Sequence, residues 1–76
     1  MFEDGQYCVL RDSQELVRFI GNMNGDYMYE LGVIEDSFGY IKIVRLNDIR
    51  LISVEEAKEF DPVGFELLNE NYGADE

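Results

Sequence analysis

Carboxylates are the side chains through which this sequence could do chemistry. Seventeen Asp and Glu residues stand against six Lys and Arg residues and no histidine, which gives a formal net charge of −11. Neighbouring carboxylates can move protons in acid–base catalysis, but such pairs arise by chance in a sequence that contains so many acids. The same groups can form an anionic surface that attracts a basic partner, and the sequence favours this second use.

The acids are concentrated towards the C-terminal end. From Glu55 onward eight acids accompany a single base, Lys58. Glu55 and Glu59 are one helical turn apart, as are Glu66 and Glu70, and like charges at this spacing weaken a helix. These charges either bind a partner or form a solvated face that keeps the protein soluble. The predicted partner-binding carboxylates are Glu35, Asp36, Glu55, Glu56, Glu59, Asp61, Glu66 and Glu70.

The usual catalytic and metal-binding patterns are missing from the sequence. One cysteine and no histidine exclude the common zinc sites, and no stretch has the alternating acids of an EF-hand. There is neither a phosphate-binding Gly-Lys-Ser/Thr loop nor a nucleophile elbow. We therefore expect no enzyme activity, no catalytic residue, no metal and no cofactor. Cys8 is expected to be a small buried hydrophobe on the first strand, because free cysteines are commonly buried.

The net charge also limits the classes of partner. Phosphates would be repelled, which argues against direct binding of nucleic acid, and an anionic membrane surface is disfavoured for the same reason. The start of the chain lacks the pattern of a signal peptide, and no apolar run reaches the roughly 18 residues that a membrane span needs. We expect a cytoplasmic protein whose partner is another protein with a basic surface.

The strongest structural signal lies in residues 27–53. Two runs rich in Val, Ile and Tyr flank a Gly-containing break at residues 35–39, which is typical of a β-hairpin. A third short run follows an Asn-Asp pair that favours turns. Gly32 in mid-strand indicates a bulge or a sharp coil of the strand, and Phe38 at the tip is expected to fold back onto the sheet. Apolar residues on both faces of the return strand imply cover on both sides, by a closed barrel or by an interface.

The segment before this hairpin is less clearly patterned. Residues 6–10 predict a short strand. Residues 13–20 fit a helix capped by Asp12 and Glu15, or a strand of β-branched and aromatic residues; the strand is favoured because the sheet needs one there. Residues 21–26 contain two Gly and two Asn, which predicts a loop.

Two short helices are predicted after the last strand. Ser53 and Glu56 have the spacing of a capping box, which predicts a helix over residues 54–60. Asp61-Pro62 ends that helix and can begin a second one, which would run to about residue 72.

The second helix has one apolar face, formed by Phe65, Leu68 and Tyr72. Val63 and Leu67 lie off that face and are expected to be exposed. The sequence does not decide whether this face packs on the protein's own sheet or on a partner.

Three segments together resemble a small SH3-like barrel: Leu31-Gly32-Val33-Ile34, Ile41-Lys42-Ile43-Val44-Arg45-Leu46 and Ile49-Arg50-Leu51-Ile52-Ser53. The resemblance implies a short helical turn at Leu46-Asn47-Asp48, just before the last strand. The resemblance covers about residues 6–53. The length of 76 residues predicts one domain, residues 1–76, and the predicted strands and helices together give it a mainly β (α+β) fold. Residues 6–53 would form a five-stranded SH3-like barrel or a strongly bent antiparallel sheet, and residues 54–73 an acidic part with one or two short helices.

The small size, strong acidity and lack of histidine resemble phage-encoded inhibitors that mimic DNA. Proteins of that class present carboxylates where phosphates would lie and occupy the DNA site of a clamp, nucleoid protein, nuclease or polymerase. The resemblance implies a similar inhibitor here. The alternative is an adaptor or assembly subunit that binds through exposed apolar residues, with acidity serving solubility alone. In either case we expect a homodimer, because small barrels with two apolar faces often pair.

Overall fold

The structure is a computed structural model that describes residues 5–23 and 30–73, the last three by their backbone alone. The strands are β1 (Tyr7–Leu10), β2 (Leu16–Met23), β3 (Leu31–Glu35), β4 (Ile41–Arg45) and β5 (Ile49–Leu51). A 3₁₀ turn (Leu46–Asp48) joins β4 to β5, and the helices α1 (Val54–Phe60) and α2 (Pro62–Gly73) follow. All described strand pairs are antiparallel, in the order β4-β3-β2-β1-β5. The predicted mainly β (α+β) class is confirmed, and this arrangement fits an SH3-like or barrel-like fold.

Most of the ambiguous segment, residues 13–20, belongs to strand β2. Residues 16–23 form a strand that pairs with β1 on one edge and with β3 on the other. The helical alternative was therefore wrong, because the two ladders together outweigh the local capping signal of Asp12 and Glu15. The strand also continues through Gly21–Met23, which the sequence had suggested as loop. The remainder of that predicted loop lies outside the described residues, as do residues 27–29 of the predicted hairpin strand.

The bulge lies on β2 and not at Gly32. The register between β2 and β3 shifts between Phe19 and Gly21, so that Ile20 is the additional residue. A β-carbon built on Gly32 would stand 2.6 Å from Phe19 Cε1 and 2.7 Å from Leu46 Cδ2. Glycine is therefore present at this position because the buried side chain of Phe19 and the partly buried side chain of Leu46 approach the backbone closely.

Each face of the sheet has its own apolar cluster. The inner cluster contains Cys8, Val17, Phe19, Ile34 and Ile49, with Leu10, Val44 and Leu46 packed against it. The outer cluster contains Tyr7, Val9, Leu16, Ala57 and Leu68, with Ile52 and Phe65 at its margin. Alternate residues of β1 thus serve opposite clusters, as the pleat of a strand requires. Because Ala57 and Leu68 are fully buried, both helices pack on the protein's own sheet.

The tip of the β3–β4 hairpin is held by Asp36. Its Oδ1 accepts hydrogen bonds from the backbone N–H groups of Phe38 (2.9 Å) and Tyr40 (3.0 Å). These bonds fix the turn through its backbone, and the ring of Phe38 is 78% exposed. The expectation that Phe38 folds back onto the sheet was wrong, because the turn needs no contact from that ring.

Candidate partner-binding surface

Helix α1 begins with the predicted capping box. The N–H of Glu56 donates to Ser53 Oγ at 3.1 Å, and the N–H of Ser53 donates to Glu56 Oε1 at 3.5 Å. Ala57 faces the sheet and is buried, while Glu55 and Glu59 lie on the exposed part of the helix. One buried position in this short helix is therefore enough to orient two carboxylates towards solvent.

Asp61 separates the two helices and caps the second. Its Oδ1 accepts a hydrogen bond from the N–H of Gly64 at 3.0 Å, which satisfies one of the unpaired donors at the start of α2. The carboxylate occupies the space that a β-carbon on Gly64 would need. Asp61 is half-buried, so this acid is mainly part of the chain turn and offers little to a partner.

Helix α2 is attached to the sheet through one face. Leu68 is fully buried, and the ring of Phe65 lies 4.9 Å from that of Tyr7 between centroids. Glu66 and Glu70 are exposed. Together with Glu55 and Glu59 they make no hydrogen bond or ion pair within the described part of the chain. The only base of this region, Lys58, places its amine 5.6 Å above the ring of Phe65.

A polar network that the sequence did not predict links α2 to the sheet. Tyr7 Oη donates to Asn69 Oδ1 at 3.1 Å, and Arg18 Nη1 donates to Tyr7 Oη at 3.2 Å and to Asn69 Oδ1 at 3.3 Å. The Arg18 guanidinium also lies 4.6 Å above the Tyr7 ring. Burial raises the pKa of Tyr7, and the charge of Arg18 partly opposes that rise. Since 51 residues separate Arg18 from Asn69, no local pattern indicates this contact.

Two open grooves border the acidic helices. One, of about 250 Å³, is lined by Arg50, Ile52, Glu56, Glu59 and Phe60. The other, of about 380 Å³, is lined by Lys58, Pro62, Val63, Phe65 and Glu66. Each combines an aromatic ring with at least one carboxylate, a combination suited to the long side chain of Arg or Lys, whose apolar stem can pack while its charged end meets an acid. The aromatic residue of the first groove, Phe60, was not among the predicted site residues.

The eight predicted carboxylates fall into two groups. Six belong to α1, α2 and the residue between them, and two, Glu35 and Asp36, belong to the hairpin. Asp36 is only 3% exposed, holds the turn described above and lies 3.5 Å from the amine of Lys42, so it has little surface to offer. Glu35 is half-buried at the end of β3, in register with Arg18. The structure thus supports the helical group as a surface and separates Asp36 from it.

Within residues 5–23 and 30–73, no group of three or more Cys, Asp or Glu side chains is placed to hold a metal ion. None of the helices in this part of the chain is both long enough and apolar enough to cross a membrane. Comparison with protein-family models, curated proteins and solved structures finds no match to this chain.

Proposed function

We propose that this protein is a non-enzymatic binding protein of the cytoplasm, whose acidic helices occupy the basic, DNA-binding surface of another protein. One observation carries the proposal. Glu55, Glu59, Glu66 and Glu70 are exposed, and within the described residues none has a hydrogen-bond or ion-pair partner. We call these four residues the acidic face.

Within the described residues, no basic side chain forms an ion pair with the acidic face, so the repulsion among its four carboxylates is not offset by such a contact. Like charges one turn apart on a helix are destabilising by a few tenths of a kcal/mol per pair, and such pairs occur on both helices. A basic partner would remove this repulsion on binding, and the net charge of −11 would speed the encounter at low salt.

The rigidity of the acidic face also supports mimicry of DNA. Each helix is anchored by a fully buried residue, Ala57 or Leu68, and α2 is further tied through Asn69 to Tyr7 and Arg18. Anchored helices hold the backbone positions of these four glutamates at fixed spacings, as a duplex does for its phosphates. The backbone would therefore lose little conformational freedom when a partner binds, and the cost of ordering is confined to the glutamate side chains.

The test is affinity capture from a bacterial lysate with two matched variants. The first replaces the acidic face by glutamine (E55Q, E59Q, E66Q, E70Q). The second removes the same number of charges elsewhere (D12N, E15Q, E30Q, D48N). We expect the wild type and the second variant to retain a nucleic-acid-binding protein that moderate salt or added duplex DNA releases. The first variant should lose it. Capture that survives both the first variant and high salt would overturn the proposal.

An apolar adaptor is the second candidate. Val63 is 69% exposed and Leu67 is 37% exposed on α2, as the sequence predicted, and Val63 lines the larger groove. An adaptor of this kind would bind through these side chains, and the acids would serve solubility. Leu67→Asp would then abolish capture while the fourfold glutamine variant would not, which is the opposite of the result expected for a DNA mimic.

A further inference from the structure

The smaller of the two grooves is formed by helix α1 and the end of strand β5. It has a volume of about 250 Å³ and is lined by Arg50, Ile52, Glu56, Glu59 and Phe60. Three of these residues belong to α1, and positions 56, 59 and 60 lie on one face of a helix. Ile52 packs against the outer cluster, so the groove combines an apolar base with two carboxylates and one aromatic ring.

Two other places in the molecule show how a cation is held on an aromatic ring. The Arg18 guanidinium lies 4.6 Å above the ring of Tyr7, and the Lys58 amine lies 5.6 Å above the ring of Phe65. Lys58 and Phe65 line the larger groove together with Glu66. In that groove the protein's own lysine therefore takes the position of a cation above a ring.

The ring of Phe60 has similar surroundings without a cation. It is 42% exposed, and in the part of the chain that the structure describes no cationic side chain lies over it. Glu59 accepts no hydrogen bond and forms no ion pair with these residues. Glu56 uses its Oε1 for two long hydrogen bonds from Ser53, at 3.4 and 3.5 Å, which leaves Oε2 as an acceptor. The groove thus offers the ring and the acceptors of a cation site.

We propose that this groove, which we call the Phe60 groove, binds an arginine side chain of the basic partner. The apolar stem of the arginine packs on Ile52, and its guanidinium lies over the ring of Phe60 and donates hydrogen bonds to Glu59. The inference rests on the proposed function for the identity of the partner, and it names the side chain that the acidic helices receive.

Arginine fits the Phe60 groove better than lysine does. A planar guanidinium can stack on a ring and bond to a carboxylate at the same time, whereas an ammonium group is compact and more strongly hydrated. Arginine is also the residue that proteins favour for bidentate contacts with phosphate. A DNA-binding surface therefore presents the side chain that this groove is suited to hold.

One basic residue of the protein, Arg50, also lines the groove and opposes the entry of a second cation. It is exposed on β5, and it forms no ion pair with Glu56, Glu59 or any other acid among the described residues. Its charge makes the potential of the groove less negative. Removal of this charge should therefore tighten the binding of an arginine, a result that a purely structural role for Arg50 would not give.

The first test is an NMR titration of the whole chain with the synthetic peptide acetyl-Gly-Arg-Gly-amide, and with the same peptide containing lysine or the neutral analogue citrulline. We expect the arginine peptide to shift the backbone amides of Ile52, Glu59 and Phe60, with a dissociation constant in the millimolar range. The lysine peptide should bind more weakly, and the citrulline peptide should cause no shift. Equal shifts from the arginine and citrulline peptides, or shifts at Glu66 and Glu70 as large as those at Phe60, would overturn the proposal.

The second test compares variants in the same titration, with circular dichroism used to show that each is folded. Phe60→Leu and Glu59→Gln should each weaken the arginine peptide by about two- to fivefold, whereas Arg50→Gln should tighten it by about twofold. The matched controls, Phe38→Leu and Glu70→Gln, should leave the affinity unchanged. An unchanged affinity in Phe60→Leu, or a weaker one in Arg50→Gln, would contradict the proposed binding mode.

Capture from a bacterial lysate separates this inference from the proposed function. Phe60→Leu keeps every carboxylate of the acidic face, so it should still capture the partner of the wild type but release it at lower salt. Phe38→Leu should behave as the wild type does. Capture that Phe60→Leu leaves unchanged would overturn the Phe60 groove and leave the DNA mimic standing. Arginine-peptide binding without capture of any nucleic-acid-binding protein would support the groove and overturn the proposed function.

Discussion

Gly32 shows how one missing side chain shapes the inner core. A methyl group at this position would overlap the side chains of Phe19 and Leu46, and Phe19 is fully buried. We predict that Gly32→Ala lowers the free energy of unfolding by roughly 1–3 kcal/mol, the range for overpacking a core. Gly21→Ala is the matched control, because a β-carbon there meets nothing within 4 Å, and its effect should stay within about 0.5 kcal/mol. Urea unfolding that gives the two variants equal losses would contradict this account of Gly32.

The ionisation of the buried Cys8 thiol should be visible in how the stability of the protein depends on pH. The side chain is fully buried, and burial raises the pKa of its thiol from 9.0 to about 11. Because the folded pKa lies above the unfolded one, the folded state holds the proton more tightly, and stability is lost as the pH rises from about 9 towards 11. We predict a loss of roughly 2–3 kcal/mol across this window.

The check is urea unfolding between about pH 8 and pH 11. Cys8→Ala lowers stability at every pH because it leaves a cavity, so the slope against pH is the informative quantity. The slope should flatten in the variant, and the part that remains comes from Tyr7, whose pKa burial also raises. An unchanged slope would show that Cys8 does not titrate differently in the two states.

Among the secondary-structure elements, the β3–β4 hairpin depends on a single carboxylate. Asp36 accepts two backbone hydrogen bonds and faces Lys42, whose side chain is 48% exposed. An ion pair with one exposed partner contributes little, whereas two lost bonds to a buried acceptor cost about 2–3 kcal/mol. We predict that Asp36→Ala lowers the unfolding free energy by about that amount. Asp36→Asn, which keeps one acceptor oxygen, should lose less than about 1 kcal/mol. Similar losses in thermal or urea unfolding would mean that the ion pair dominates.

Short-range sequence signals predicted where the helices begin better than they predicted which strands pair. The Ser53–Glu56 box and the Asp61-Pro62 pair act within four residues, so the sequence alone located both helix starts. The segment that forms β2 was ambiguous because its apolar residues fit both the period of a helix and the period of a strand. Only its pairing with β1 and β3 decides that it is a strand. The position of the bulge at Ile20 depends on how β2 and β3 align with each other. The sequence of either strand alone does not determine that alignment.

For the whole molecule, the sequence showed where the charge is concentrated but did not separate Asp36 from the other acids. Asp61 was marked as a helix start by the proline that follows it, whereas nothing in the sequence distinguished Asp36. Both accept backbone hydrogen bonds in the structure, and their short side chains explain why they favour turns and caps. The longer side chains of Glu55, Glu59, Glu66 and Glu70 reach past the helix surface into solvent. The candidate surface is therefore smaller than the set of eight carboxylates predicted for it.

This acidic face should make the stability of the whole protein depend on salt. Added salt screens repulsion between exposed charges, so we predict that the unfolding free energy of the wild type increases with salt concentration. The variant with glutamine at Glu55, Glu59, Glu66 and Glu70 should be more stable than the wild type at low salt. Two i,i+4 repulsions together contribute roughly 0.5–1 kcal/mol, and loss of the wider repulsion adds to this. Its salt dependence should also be weaker.

The control for this prediction is the variant with the same loss of charge at Asp12, Glu15, Glu30 and Asp48, four acids that precede the helices in the chain. If the destabilisation comes from negative charge concentrated on the helices, the control variant should gain less stability at low salt than the helical variant does. A helical variant that is more stable and yet fails to capture a partner would show that the acidic face is kept for binding at a cost in stability, a trade-off common at functional sites. Equal gains in the two variants would mean that stability depends only on the total charge and that the position of the four glutamates on the helices has no effect.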